Sequence, residues 1–386
     1  MSYMASRVAD FGTTIFTEMT ALARKHEAVN LGQGFPDFAA PDFIKEAARQ
    51  SIADEVNQYS PANGRLDLRQ NLAAKVKRQY DLDIDPNSQI NIVHGATEAI
   101  FATIMGLVNP GEEVIVIEPY YDSYVPAIKM AGGIPVFYTL HAPDFAIDPD
   151  EIGKLFNANT KAIMINTPHN PIGKVYSREE LTMLAQLCQE HDVIAVMDEV
   201  YEHIVFAGHE HVLMATLTGM ADRTVTISSI GKTFSVTGWK TGWTIASPEL
   251  TTAVFRAHQF ITFSTVHPMQ HAAATALAAD QSYYDDLTAM YQTNRDFLAG
   301  VLTDVGLPPI MPAGTYFMMV DISHLGFPND REFCYYLTKE VGVCAIPPSA
   351  FYVDPTDGAT IARFAFCKSM DALEAAAERL QVLKKG

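Results

Sequence analysis

Between about residues 90 and 280 the chain alternates short apolar runs with longer helix-like stretches, and this alternation narrows the fold more than any other feature. The runs are Ile90–Val93, Glu113–Glu118 (EVIVIE), Ile134–Leu140 (IPVFYTL), Ala162–Asn166 (AIMIN), Val193–Met197 (VIAVM), Thr224–Ser228 (TVTIS) and Gly242–Ala246 (GWTIA). A strand with one wet face would alternate apolar and polar residues; these are nearly unbroken, so both faces must be covered. Short buried strands between helices predict an α/β fold with a mostly parallel sheet between helical layers. Ser177-Arg178-Glu179-Glu180 is a capping box, which opens a helix running to about His191. Ligands of such sheets gather at the carboxyl ends of the strands, where the polar residues of interest also fall.

From about residue 285 the pattern changes. A helix over Tyr283–Val305, the run GTYFMMVDI, a helix over Asp330–Val341 and the run ATIARFAFCK predict a smaller α+β domain. The first forty or so residues have no strong period and are expected to cross over and pack with it. The expected division is an N-terminal segment 1–45, a large domain 46–282 and a small C-terminal domain 283–386. No Pro/Gly/Ser-rich linker marks these edges.

A chain of 386 residues is long for one core, which agrees with two domains. Its formal net charge of −18 argues against nucleic acid and anionic membrane as partners, since both need a basic face. Small acidic substrates stay open, because one local cation binds them whatever the total charge. Four cysteines without CxxC spacing predict reduced buried thiols rather than a disulfide framework, and no metal site. Neither a signal-peptide pattern nor an apolar run of membrane-spanning length is present, so a soluble cytoplasmic protein is expected.

Six segments carry candidate chemistry. In SIGKTFSVTGWKTGW, Lys232 lies on a short turn just past a predicted strand, with small residues that let a bulky ligand approach. Desolvation there favours the neutral amine, which suits a Schiff base with an aldehyde cofactor. In His94–Val108 a Gly-Ala-Thr turn opens an apolar helix whose free N–H groups would hold a phosphate; the plain alternative is a helix N-cap at Thr97. Asp198, directly after a buried strand, needs a cationic or hydrogen-bonding partner, such as a protonated pyridine nitrogen, or else caps the next helix. Asn170, between prolines 168 and 171, is an aimed amide or a common turn. In EPYYDSY an aromatic could stack on a flat ring or simply fill core. In TIARFAFCK, Arg363 and Ala365 alternate with Phe364 and Phe366, which leaves Arg363 to hold a carboxylate or an internal salt bridge.

In this order the phosphate turn, EPYYDSY, NTPHNPIGK, DEVYEH, SIGKTFSVTGWKTGW and RFAF resemble class I aminotransferases of the fold type I pyridoxal-phosphate enzymes. The resemblance runs from LGQGFPDF (Leu31–Phe38) to Lys368 and is closest to the branch of bacterial methionine aminotransferases, with the kynurenine aminotransferase/glutamine transaminase K group next to it. It implies a homodimer with shared active sites, a seven-stranded-type large sheet, and transfer of the α-amino group of a neutral, methionine-like or aromatic amino acid to a 2-oxo acid in ping-pong order. It implies that Lys232 joins the cofactor aldehyde and later moves the proton. Asp198 would pair with the ring nitrogen, Asn170 and Tyr201 with the ring oxygen, and Tyr121 would stack on the ring. Ala96, Thr97, Ser229 and Lys240 would hold the phosphate with Tyr59 of a partner subunit. Many class members carry arginine in place of Lys240, and a lysine gives up the two-pronged geometry. Arg363 would bind the α-carboxylate, helped by Asn170 and the Gly34 backbone. Phe16, Phe35 and the partner's Phe263 would wall the side chain, with no second arginine placed for a distal carboxylate. The nearest rival is a β-lyase acting on cysteine conjugates. A DNA-binding regulator lacks room in the first forty residues, and a nicotinamide dehydrogenase lacks its GxGxxG turn.

Overall fold

A computed structural model of the chain describes residues 3–385. The chain first forms a two-residue strand, β1 (Val29–Asn30), and then seven strands that build the large sheet. These are β2 (Ile90–Val93), β3 (Glu113–Glu118), β4 (Ile134–Thr139), β5 (Thr160–Asn166), β6 (Ile194–Asp198), β7 (Thr224–Ser229) and β8 (Gly242–Ile245). Each lies within two residues of an apolar run in the sequence. Their order is β2-β8-β7-β6-β5-β3-β4, parallel throughout except for β8, which runs against both neighbours.

The unbroken apolar character of the strands has the expected cause. Alternate residues of β3 feed two different cores: Ile115 and Ile117 pack on one side of the sheet, Val114 and Val116 on the other. Each fully buried aliphatic side chain contributes about 1.5–3 kcal/mol, so a polar residue on either face would be costly. The helix after β5 spans Arg178–Glu190 and carries the capping box: Glu180 N–H donates to Ser177 Oγ at 3.1 Å, and Ser177 N–H donates to Glu180 Oε2 at 2.9 Å.

The strand order turns around between β3 and β5, and a cavity opens along the carboxyl ends of the parallel strands. The reversed β8 brings its amino end to that same edge, so Lys240 and Thr241 join the residues that follow β2, β6 and β7. Gly242 makes this junction possible. A Cβ on it would lie 2.8 Å from the Gly95 carbonyl carbon and 2.9 Å from the Ser228 oxygen, both backbone atoms.

The remaining strands are β9 (Pro309–Ile310), β10 (Phe317–Asp321), β11 (Val343–Cys344) and β12 (Ile361–Ala365). β10 is the centre of an antiparallel three-stranded sheet, with Met319 opposite Arg363, while β11 pairs with β1 in parallel. One apolar cluster joins Ile15, Met19 and Leu31 to Leu298, Phe317, Val343 and Phe364. The helix Ile15–Lys25 enters this cluster through a narrow stripe, Ile15, Met19 and Ala23, which is too thin to stand out in the sequence.

Two local expectations are corrected. The helix Gly95–Leu107 has His94 as its N-cap residue, so Thr97 lies within its first turn and is not the cap. Asp198 is followed by turns and not by a helix, so it caps none. Gly242→Ala is expected to lower stability by about 1–3 kcal/mol through overpacking against backbone; an unchanged thermal midpoint in calorimetry would contradict the close packing.

Candidate active site

Ser229 ends β7 in extended conformation, and the single helical turn Ile230–Thr233 then points Lys232 back over the sheet edge. Lys232 Nζ donates to the Gly34 carbonyl at 3.2 Å and lies 5.5 and 5.6 Å from the Tyr201 and Tyr316 ring centroids. Burial lowers its pKa to about 8, against the opposing pull of Cys367 and Asp198. The neutral fraction near neutral pH is therefore far larger than that of an ordinary lysine. The Gly34 carbonyl is fixed by a second donor, the Tyr316 hydroxyl at 2.6 Å. Only glycine fits there, since a Cβ would meet the Phe317 ring at 2.5 Å.

Asp198, at the end of β6, is buried, and burial raises its pKa. The Tyr124 hydroxyl donates to its Oδ2 at 2.7 Å. Asn166, at the end of β5, ties the neighbouring strand ends together: its Nδ2 donates to the Asp198 carbonyl at 2.7 Å and its Oδ1 accepts from Asn170 N–H at 2.7 Å. Tyr201 stands edge-on to Tyr316 at 5.2 Å, and burial raises its pKa.

Asn170 Oδ1 accepts from Arg363 Nη1 at 3.1 Å, and Gly32 O accepts from Nη2 at 2.8 Å. Arg363 Nε is buried without a hydrogen-bond partner. The guanidinium lies 4.1 Å from the Phe317 ring, 5.2 Å from Phe16 and 5.4 Å from Phe351. Burial brings its pKa to about 10, so it stays cationic at neutral pH. It forms no salt bridge among the described residues, which disposes of the internal ion pair as the alternative reading.

A cavity of ≈ 210 Å³ lies at this sheet edge, and Thr97, Tyr121, Asp198, Ser229, Lys232 and Lys240 are among its walls. Ala96, Asn170 and Tyr201 line it too, so nine residues singled out in the sequence meet in one place. The first N–H groups of Gly95–Leu107 have no intrahelical acceptors, and with Lys240 and the Thr97, Ser229 and Thr237 hydroxyls they form a seat for an anion. This donor set fits a phosphate. The buried Asp198 carboxylate fits a cationic ring nitrogen.

Other candidates lie elsewhere. Arg363 sits behind Asn170, with Phe16 beside it. Phe35 is half-exposed and does not line the cavity; Lys368 Nζ lies 4.9 Å from its ring and donates to its carbonyl at 2.9 Å. Tyr59 and Phe263 are outside this chain's cavity; they meet edge-on at 5.2 Å on the surface, both exposed. Sequence reasoning missed Tyr124, Asn166, Tyr316, Phe317 and Phe351. Tyr124 was within reach, three residues beyond Tyr121 in the same motif; the others act through tertiary packing.

A sheet edge that gathers a desolvated amine, a buried acid and an anion seat defines an enzyme for amino-group chemistry. The chain belongs to the family described as aminotransferase class I and II, whose profile matches residues 26–380, and it is an aminotransferase of fold type I. The family uses pyridoxal phosphate. The crystal structure of YbdL from Escherichia coli, identified as a methionine aminotransferase, is 40% identical, with a TM-score of 0.96 over 99% of this chain and 100% of that one. That of N-succinyldiaminopimelate aminotransferase from Mycobacterium tuberculosis is 42% identical, with a TM-score of 0.95 over 98% and 100%. Kynurenine–oxoglutarate transaminase 3 of Mus musculus is 40% identical over 97% of this chain and 89% of its own length.

In the cofactor-free chain, acetylation of Lys232 followed by mass spectrometry is expected to rise with a midpoint near pH 8, below that of surface lysines. A midpoint coinciding with theirs would show that the amine is not desolvated.

Proposed function

We propose that this aminotransferase takes the α-amino group from a neutral amino acid, methionine-like or aromatic, and passes it to a 2-oxo acid. The observation that carries this reading is Arg363: a buried, cationic guanidinium with an unpaired Nε, enclosed by aromatic rings and joined to the cavity through Asn170. A bidentate carboxylate meets the need of that guanidinium, and the surrounding rings favour an uncharged side chain. The mouse relative's name supports kynurenine as a second donor to test, and the β-lyase reaction on cysteine conjugates remains the alternative.

Bound pyridoxal phosphate supplies an aldehyde for imine exchange with amines and a protonated ring that accepts an electron pair. Lys232 would hold it through the aldehyde. Ala96, Thr97, Ser229 and Lys240 would grip the phosphate, Asp198 would keep the ring nitrogen protonated, and Asn170, Tyr201 and Tyr121 would fix the ring. Tyr124 would orient Asp198 through its hydroxyl. Arg363, with Asn170 and the Gly34 backbone, would hold the donor carboxylate so that the Cα–H faces Lys232. Once free, the Lys232 amine would take the Cα proton as base and return it as acid, a step worth about 10²–10⁴-fold. Its lowered pKa suits both roles. The oxo acid product would leave before the acceptor enters.

A homodimer is part of the proposal, with Tyr59 joining the phosphate and Phe263 the side-chain wall of the partner's site. Supporting it, Tyr59, Phe260 and Phe263 are 81%, 87% and 49% exposed, unusual for large apolar side chains unless another surface covers them. The division at 1–45, 46–282 and 283–386 and a cytoplasmic location, in keeping with four free buried thiols, complete the reading.

A panel of amino acids and 2-oxo acids tests the donor class: kcat/KM for methionine or phenylalanine is expected to exceed that for aspartate by about 10²-fold or more. A preference for aspartate would defeat the assignment. Arg363→Ala is expected to raise KM for every amino acid by about 10²-fold, since it removes the partner of a buried carboxylate. If a single substrate suffered, Arg363 would be reading a side chain instead.

A further inference from the structure

Glu118 ends β3 as a buried carboxylate outside the cavity, and the chemistry above gives it no task. It reaches out of the large sheet. Its Oε1 accepts from Val353 N–H at 2.5 Å and its Oε2 from Thr139 Oγ1 at 2.9 Å. Two further bonds run alongside: Tyr120 N–H donates to the Phe351 carbonyl at 3.0 Å, and the Tyr352 hydroxyl donates to the Leu140 carbonyl at 3.2 Å. Three consecutive residues, 351–353, are thus tied to the ends of β3 and β4.

The other end of this segment belongs to the arginine's strand. Ile346 and Arg363 exchange both backbone hydrogen bonds at 3.0 Å, and Ser349 N–H donates to Asp330 Oδ2 at 2.7 Å. Residues 346–353 therefore form a strap from β12 to the large sheet. Phe351 sits in the middle of it, 2% exposed, with its ring 5.7 Å from Phe16 and 5.4 Å from the Arg363 guanidinium.

We propose that Glu118 is a positioning residue for the substrate side of the site: by holding Val353 it keeps Phe351 against Phe16 and Arg363. The proposal rests on Arg363 as the receptor of the donor carboxylate. The bond from Val353 to Glu118 is the shortest of the strap's bonds, and Val353 is itself 58% exposed, so apolar burial does little to hold it. Releasing the strap removes one aromatic wall from the guanidinium. A displacement of an ångström at such a distance from the chemistry is enough to weaken substrate binding.

The test compares Glu118→Ala with Glu118→Gln in the holoenzyme. Glutamine keeps a carbonyl oxygen for Val353 and an amide that the Thr139 hydroxyl can accept, so it is expected to stay within about 2-fold of the unmodified chain. Alanine is expected to raise KM for methionine about 10-fold while kcat changes less than about 3-fold. It is also expected to speed amide hydrogen exchange at 351–353 and to leave the absorbance of the bound cofactor unchanged. Combined with Phe351→Leu, it should cost less than the product of the two single effects, because both remove the same wall. Additive losses overturn the proposal, as does faster exchange with an unchanged KM, or a loss of cofactor and kcat in both variants alike. Should Glu118→Ala not fold, Thr139→Val removes one donor to the same carboxylate and is expected to raise KM in the same direction; no rise overturns the proposal. A parent chain that transaminates no amino acid would defeat the proposed function instead, and the exchange rates would then decide whether Glu118 holds the strap.

Discussion

Desolvation is the constraint on which this site depends. Asp198 and Arg363 are buried, Lys232 is nearly so, and none of the three is within ion-pair distance of another charged side chain among the described residues. Buried charges are costly unless matched. Here neutral dipoles hold them: Tyr124 and the neighbouring backbone on Asp198, Asn170 and the Gly32 carbonyl on Arg363, the Gly34 carbonyl on Lys232. The fold thus keeps the groups in place without pairing their charges to one another.

The sheet makes this possible by collecting functions that are far apart in the chain. Parallel strands send their carboxyl ends to one edge, and the reversed β8 adds its amino end. Gly34 and Arg363 come from segments outside that sheet and close the site from the other side. Tyr316 and Phe317 at the start of β10 link the two, packing on Tyr201 while fixing the carbonyl that Lys232 meets.

Strand positions in the large sheet were legible because a doubly covered strand leaves a local trace, a run of β-branched and apolar residues. The helix Arg178–Glu190 was legible through its capping box. Lys232, Asp198, Asn170 and Arg363 stood out because each is a polar residue set against a small or apolar local background. Tyr316, Phe317 and Phe351 did not, because an aromatic residue in an apolar run looks the same whether it fills core or encloses a guanidinium. Asn166 was hidden for the same kind of reason: its two hydrogen bonds go to Asp198 and Asn170, and only the pairing of β5 with β6 puts Asp198 beside it.

The sequence by itself determined the alternation of strand and helix, the ordered motifs and the residues able to carry amino-group chemistry, since these follow from local pattern and side-chain type. The tertiary structure alone decided that β8 runs backwards, that Arg363 is caged by three rings with one nitrogen unpaired, and that Glu118 reaches across to Val353. Each of these depends on contacts between residues dozens to hundreds of positions apart, for which no local pattern exists.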